Sequence, residues 1–259
     1  MEKFTIKVEN RLATIEAEAV QWTAPEFEKA VLEGKPKVAV FDCDGTLWRG
    51  DSGSGFMTWS LEQGVVSRSA SDWMDERYRA YQAGQVGEEA ICGEMVQVYA
   101  GLRDQELRAA AETYAHKFVP GRIFVEMAAL VAEMQKAGTE IWAVSSTNRW
   151  VVAAGLRAFG IPEERVLAAE VAVCDGVITS ELVDVPTGEG KAVALKRVGL
   201  SAPDAVFGNS LHDLAMLKLG RRAYPVNPSP ALQKVAAQLG WGCFRPATAE
   251  ADTTTVHGE

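Results

Sequence analysis

Val38-Ala39-Val40-Phe41-Asp42-Cys43-Asp44-Gly45-Thr46-Leu47 is the stretch on which the fold turns. Its first four residues are apolar without a break, too continuous for a half-wet antiparallel strand and suited to one covered on both faces. Four similar runs follow: Ile141-Trp142-Ala143-Val144, Val166-Leu167-Ala168, Ala205-Val206-Phe207 and Ala223-Tyr224-Pro225-Val226. The helix-like segments between them close on Gly138, Gly160, Gly199, Gly220 and Gly240. Glycine just past a helix takes the left-handed conformation that satisfies the last carbonyls. Apolar strands alternating with helices predict an α/β protein, a three-layer Rossmann-like parallel sheet with helices on both faces.

The alternation breaks between Asp51 and Val119. This interval has no convincing strand and reads as several helices, among them Ser69–Ala83, Glu88–Ala100 and Asp104–Phe118. The expected organisation is a core over 37–50 and 119–259, an inserted helical lobe over 51–118, and an N-terminal extension over 1–36 of unassigned role. Within that extension Phe4, Ile6 and Val8 alternate like a strand, and Thr23-Ala24-Pro25 resembles a helix start. Asp175-Gly176, between Ala169–Val173 and Val177–Glu181, reads as a hairpin turn. Ala247–Glu259 reads as a loose tail.

Composition narrows the function classes. The 259 residues are 47% hydrophobic, and 26 Lys and Arg stand against 35 Asp and Glu, a net charge of −9. Such a surface is a poor partner for nucleic acid or anionic lipid. No apolar run approaches the roughly 20 residues that cross a bilayer, and residues 1–7 contain no signal-peptide core. Cys43, Cys92, Cys174 and Cys243 form no Cys-x-x-Cys pair, so buried thiols in a reducing cytoplasm are expected rather than a disulfide framework or a zinc site.

Chemistry is concentrated just after the strands, where open parallel sheets bind ligands. Asp42 and Asp44 end the first run, placed to serve a metal and a substrate together. Ser145, in Ser145-Ser146-Thr147-Asn148, stands at a second strand end, where a hydroxyl can bind phosphate or cap the following helix. Gly188-Glu189-Gly190-Lys191-Ala192 superficially resembles a nucleotide-binding loop. Val185 replaces its first glycine, however, and Ala192 its magnesium-binding hydroxyl. A Lys beside a helix N-terminus would still offer a phosphoryl group a charge and N–H donors. Gly208-Asn209-Ser210-Leu211-His212-Asp213 follows a fourth strand with oxygen donors that suit Mg²⁺, or that cap a helix.

In order, Asp42-x-Asp44-Gly45-Thr46, Ser145, Lys191 and Gly208-Asn209-Ser210-x-x-Asp213 resemble the motifs of the haloacid dehalogenase superfamily. The inserted lobe is similar to the helical cap of its phosphoserine phosphatase-like members, as is the hairpin before the Lys motif. The resemblance implies a Mg²⁺-dependent phosphomonoesterase acting through an aspartyl-phosphate. Asp42 would be the nucleophile and Asp44 the general acid and base. Ser145 and Lys191 would hold the phosphoryl oxygens. The metal would take Asp42, the main-chain carbonyl of Asp44, Asp213 and, as a neutral donor, Asn209, which stands where many relatives have Asp.

The expected partner is a small phosphorylated metabolite, since a polymer would not fit beneath the cap. Asp51 matches the position that meets the substrate amine in phosphoserine phosphatases, while the cap Arg that meets the serine carboxylate has no counterpart near Ile91–Met95. Phosphoserine- and phosphocholine-like esters are both readings. For the second, Trp48, Phe56, Trp59, Trp73, Tyr78 and Tyr81 are candidate walls of a cationic cage, or else packing between cap and core. His116 and His212 are read as surface or capping residues. A phosphomutase, and a non-catalytic binding protein that keeps the fold, are the alternatives.

Overall fold

The computed structural model describes residues 19–249. Along the chain run β1 (Gln21–Trp22), α1 (Ala24–Leu32), β2 (Val38–Phe41), α2 (Ser52–Glu62), α3 (Arg68–Gln82), α4 (Glu88–Gln97), α5 (Asp104–Phe118) and α6 (Val125–Lys136). There follow β3 (Glu140–Asn148), α7 (Arg149–Leu156), β4 (Val166–Cys174), β5 (Val177–Asp184), α8 (Glu189–Arg197), β6 (Ala205–Gly208), α9 (Leu214–Leu219), β7 (Ala223–Pro225), α10 (Pro230–Leu239) and β8 (Cys243–Phe244). The alternation at Phe4, Ile6 and Val8, and most of the expected tail, lie outside the described residues.

Six strands form one sheet in the order β5-β4-β3-β2-β6-β7. All neighbours pair in parallel except β5, which is antiparallel to β4. From β2 the chain builds outward through β3 and β4, then returns to lay β6 and β7 on the other side. The carboxyl ends of β2 and β6 therefore form the topological switch point, where a ligand site belongs.

The sheet's two faces explain the unbroken apolar runs. Ala39 and Phe41 pack with Phe27 and Val31 of α1, Met127 and Leu130 of α6, and Leu156 of α7. Val40, Val144 and Val206 face the other way, onto Leu195 of α8, Met216 and Leu217 of α9, and Leu232 of α10. The architecture is the expected three-layer α/β sandwich.

Residues 19–36 belong to this core and are not an appendage. Thr23 and Glu26 form a capping box at the start of α1, with Pro25 inside the first turn, which fixes where the helix begins. Phe27 stacks on Phe244 with ring centroids 4.3 Å apart, and β1 pairs in parallel with β8.

The insert between β2 and α6 is helical throughout its regular elements, α2 to α5. Phe56, Met74, Ile91, Leu107 and Tyr114 of these helices share one buried cluster with Trp150 of α7, Val171 of β4 and Ile178 of β5. The insert thus has its own apolar centre yet is seated on the edge of the sheet.

Three expectations need correction. Gly220 does not take a left-handed conformation: its φ is −69°, and a Cβ there would come within 2.5 Å of Val206 Cγ2, so close approach explains this glycine. Val166–Ala168 and Ala169–Val173 are not separate but one continuous strand, β4, whose far end enters the hairpin. Asp175 and Gly176 both take positive φ, 51° and 74°, as a two-residue hairpin turn requires. Finally, Cys43 and Cys243 are buried, but Cys174, at that turn, is exposed.

Candidate active site

The loops after β2 and β6, the end of β3 and the start of α8 converge on one cavity of about 480 Å³, lined by Asp42, Asp44, Ser145, Lys191 and Asn209 among others. Lys191 is at its centre. Its residue is 2% exposed, and Nζ donates to Asp42 Oδ1 at 2.7 Å and to Asp213 Oδ1 at 2.6 Å. Burial works against the ammonium charge, but the charges of Asp213 and Asp42 outweigh it and hold the pKa above its ordinary value. Gly188, the cap of α8, carries Lys191 inward from a φ of 52°, which glycine tolerates without a Cβ penalty.

Asp42 is 5% exposed, and Thr46 Oγ1 donates to its Oδ2 at 2.8 Å. Burial pushes the Asp42 carboxyl up, Asp213 adds to the effect, and Lys191 pulls it back. Asp44 sits in the cavity wall, half-buried. Its Oδ1 accepts from Trp48 Nε1 at 2.6 Å and from the Ser52 amide at 2.8 Å. Its Oδ2 accepts from Ser52 Oγ at 3.0 Å and Thr147 Oγ1 at 2.8 Å. Burial, reinforced by Asp51, pushes the Asp44 carboxyl up to about 6 despite these donors. A fixed carboxyl with a pKa near neutrality is suited to giving and taking protons.

None of the three donors to Asp44 is given that role by the sequence. Trp48, a candidate for a cage wall or for packing between cap and core, is 0% exposed, as packing requires, and its indole N–H orients Asp44. Thr147 reaches Asp44 because the pairing of β3 with β4 slips between Ser145 and Asn148, so that Ser146 and Thr147 bulge into the cavity. Asn148 then caps α7 through the Val151 amide. Ser145 is buried at the strand end, and its Oγ accepts from the Thr147 amide at 3.2 Å, which leaves the hydroxyl hydrogen for another acceptor.

Asp213 Oδ2 accepts from the amides of Asn209 at 2.8 Å and Ser210 at 2.9 Å, while Oδ1 takes Lys191. Both oxygens of the expected negative metal ligand are thus held in place, as are both of Asp42, and each keeps a further lone pair for a metal. A Cβ on Gly208 would come within 2.6 Å of Asp213 Cβ, so the glycine makes room for it. Asn209 lies over the Asp42–Thr46 loop: a Cβ on Gly45 would be only 1.9 Å from its amide nitrogen.

Two residues of the insert join the same cavity. Asp51 caps α2, accepting from the Ser54 amide at 2.9 Å. Glu88, at the start of α4, was not singled out as a site residue. Its Oε1 accepts from Thr187 Oγ1 at 2.8 Å, and its Oε2 from Tyr81 Oη at 3.2 Å. Glu88 also pairs with His212 Nε2 at 2.5 Å, so His212 bridges core and insert and is more than a surface residue. His116 is exposed and, among the described residues, bonds its own helix at Glu112 O. Of the six aromatics offered as cage walls, Tyr78 and Tyr81 alone line a cavity beside Asp51. Phe56 is buried in the packing of the insert, and Trp59 packs against that cluster.

Fold and geometry define a class: doubly wound α/β proteins with paired aspartates at the switch point of the sheet. The model of the haloacid dehalogenase-like hydrolase family matches residues 39–218, and the chain belongs to that family. A histidinol-phosphatase of Neisseria meningitidis serogroup C (strain 8013) is 26% identical over 215 residues, 79% of this chain and 96% of that one. A solved protein of unknown function from Bordetella pertussis Tohama I has a TM-score of 0.71 at 25% identity, covering 80% of this chain and 97% of its own. A probable phosphoserine phosphatase from Vibrio cholerae shares the fold, with a TM-score of 0.59 at 16% identity over 85% of this chain and 67% of that one. The chain is an enzyme, a phosphatase of this family. Among the described residues no helix is long and apolar enough to cross a membrane.

Proposed function

We propose that the chain is a Mg²⁺-dependent phosphomonoesterase that cleaves a small phosphorylated metabolite through an aspartyl-phosphate on Asp42. The observation that carries this reading is the opening of Asp42, Asp44, Ser145 and Lys191 onto one cavity. The insert, taken as a cap over 51–118, contributes Asp51 and Glu88 to that cavity, which limits the substrate to a small molecule.

An Asp42 carboxylate oxygen attacks phosphorus as the bond to the ester oxygen breaks, and Asp44 gives its proton to that oxygen so that an alcohol departs. Water then attacks the phosphorus of the aspartyl-phosphate, losing its proton to Asp44. The bond to Asp42 breaks, phosphate leaves and both carboxyls are restored. Lys191 and Ser145 hold the phosphoryl oxygens throughout, from positions fixed before the substrate arrives. Trp48, Ser52 and Thr147 keep Asp44 aimed.

The metal fits the donor set. Among the described residues no three His, Cys, Asp or Glu side chains stand ready to cage an ion. Mg²⁺ needs no such cage, being held by one or two carboxylates with water and substrate oxygens. Asp42, the main-chain carbonyl of Asp44, Asp213 and, as a neutral donor, Asn209 would hold it, while Asp213 also anchors Lys191. When bound it supplies neutralisation of charge on the transferring phosphoryl group.

Phosphate release from p-nitrophenyl phosphate and histidinol phosphate tests the reading; the second ester is suggested by the name of the Neisseria relative. Release in the presence of Mg²⁺, its loss on chelation and its return on adding the metal back are expected. No release from a broad panel of esters, or release indifferent to chelation, would overturn the proposal.

A further inference from the structure

A second chamber, of about 160 Å³, opens beside the phosphate cavity and shares Asp51, Glu88, Ser146 and Thr147 with it. With phosphorus by Asp42, this chamber adjoins the ester's leaving side and can receive its carbon portion. Its remaining walls include Tyr78, Tyr81, Ile91 and Met95. Among the described residues no Lys or Arg lines it. The nearest wall of the neighbouring cavity offers only Lys191, already held between Asp42 and Asp213, and His212, held by Glu88. Arg77 of α3 is turned to Glu94, with two hydrogen bonds of 2.8 and 2.7 Å.

From this lining we infer that the chamber is a specificity site for a cationic leaving group: the substrate is an alkyl phosphate whose carbon chain bears an ammonium or imidazolium and no carboxylate. A cation there meets two acidic side chains and the rings of Tyr78 and Tyr81, whose centroids are 6.0 Å apart, a combination that attracts positive charge. A carboxylate meets Asp51 and Glu88 with no basic partner and lies against Ile91 and Met95, where burying an unpaired charge is costly. Glu88 is the specificity residue added here. Its carboxylate is held by Tyr81 of the insert and by Thr187 and His212 of the core, so it is ordered without the substrate, while the His212 imidazole offsets part of its charge and leaves Asp51 as the stronger pole for a cation.

The inference rests on the phosphatase reading, and one set of rates separates the two. With Mg²⁺ present, kcat/KM is measured for 2-aminoethyl phosphate, its neutral isostere propyl phosphate, O-phosphoserine and p-nitrophenyl phosphate. The aminoethyl ester should exceed the propyl ester by about tenfold, the worth of one charge-assisted contact, and should exceed O-phosphoserine as well. Asp51→Asn and Glu88→Gln should each bring the aminoethyl-to-propyl ratio toward one. Hydrolysis with equal rates for charged and neutral esters, a preference for O-phosphoserine, or a ratio untouched in both variants would overturn the cationic site and leave the phosphatase standing. No hydrolysis of any ester, p-nitrophenyl phosphate included, would overturn the phosphatase reading and this inference with it.

Discussion

Asp44 accepts from Trp48, Ser52 and Thr147, and its assigned work is to protonate the leaving oxygen. A poor leaving group needs that proton and a good one does not. Asp44→Asn should therefore slow hydrolysis of an alkyl phosphate by about 10²- to 10⁴-fold, and of p-nitrophenyl phosphate by much less. Equal losses on the two esters would remove the acid role. Asn209 gives a second prediction at this scale. It offers a neutral oxygen where a carboxylate would bind a divalent ion more strongly, so Asn209→Asp should tighten the Mg²⁺ dependence of the rate by about tenfold. An unchanged magnesium titration would place Asn209 outside the metal's reach. The grouping of Asp42, Asp44, Ser145 and Lys191 on one cavity was legible because they stand near the carboxyl ends of strands or in the first turn of a helix, in a recognisable order. Ser52, Thr147 and Glu88 were not, because their roles depend on a bulge and on contacts between distant segments that no local pattern encodes.

Single elements were read well where one local rule decides them. The hairpin turn at Asp175-Gly176 and the start of α1 at Thr23 are set by backbone conformation and capping within a few residues. Gly220 was misread because its reason is Val206, on a different strand. Attachment of the insert to the core was equally invisible. Glu163, in the turn before β4, accepts from Arg108 of α5 at 2.9 Å and pairs with Arg149 of α7 at 3.3 Å, and Arg149 also reaches Glu170 of β4 at 3.2 Å. Partial burial works against the charge on Glu163, but Arg108 and Arg149 outweigh it and hold the carboxyl below its ordinary 4.5. A carboxyl lowered by folding stabilises the fold above its unfolded pKa and loses that contribution as pH falls through the folded value. Glu163→Gln should thus cost about 1 kcal/mol at neutral pH, and the gap from wild type should close as thermal melts are taken at progressively lower pH below 4.5. A gap that does not change with pH would mean that the ion pairs contribute nothing.

For the molecule as a whole, the layers, the strand alternation and the helical insert were all expected, since hydrophobic period and run length report burial directly. What composition and spacing could not give was the sharing of one cavity by insert and core, or the membership of residues 19–36 in the main apolar cluster through Phe27 and Val31. The loops after β2 and β6, the end of β3 and the start of α8 meet at the switch point, and the function follows from that meeting only if the Asp42 carboxylate there becomes covalently phosphorylated. The direct measurement is a rapid quench during turnover of a phosphorus-labelled ester, followed by peptide mapping. Hydroxylamine-labile label on the peptide holding Asp42, absent in Asp42→Asn together with turnover, is the predicted result; steady turnover with no labelled protein, or label and turnover persisting in Asp42→Asn, would contradict it.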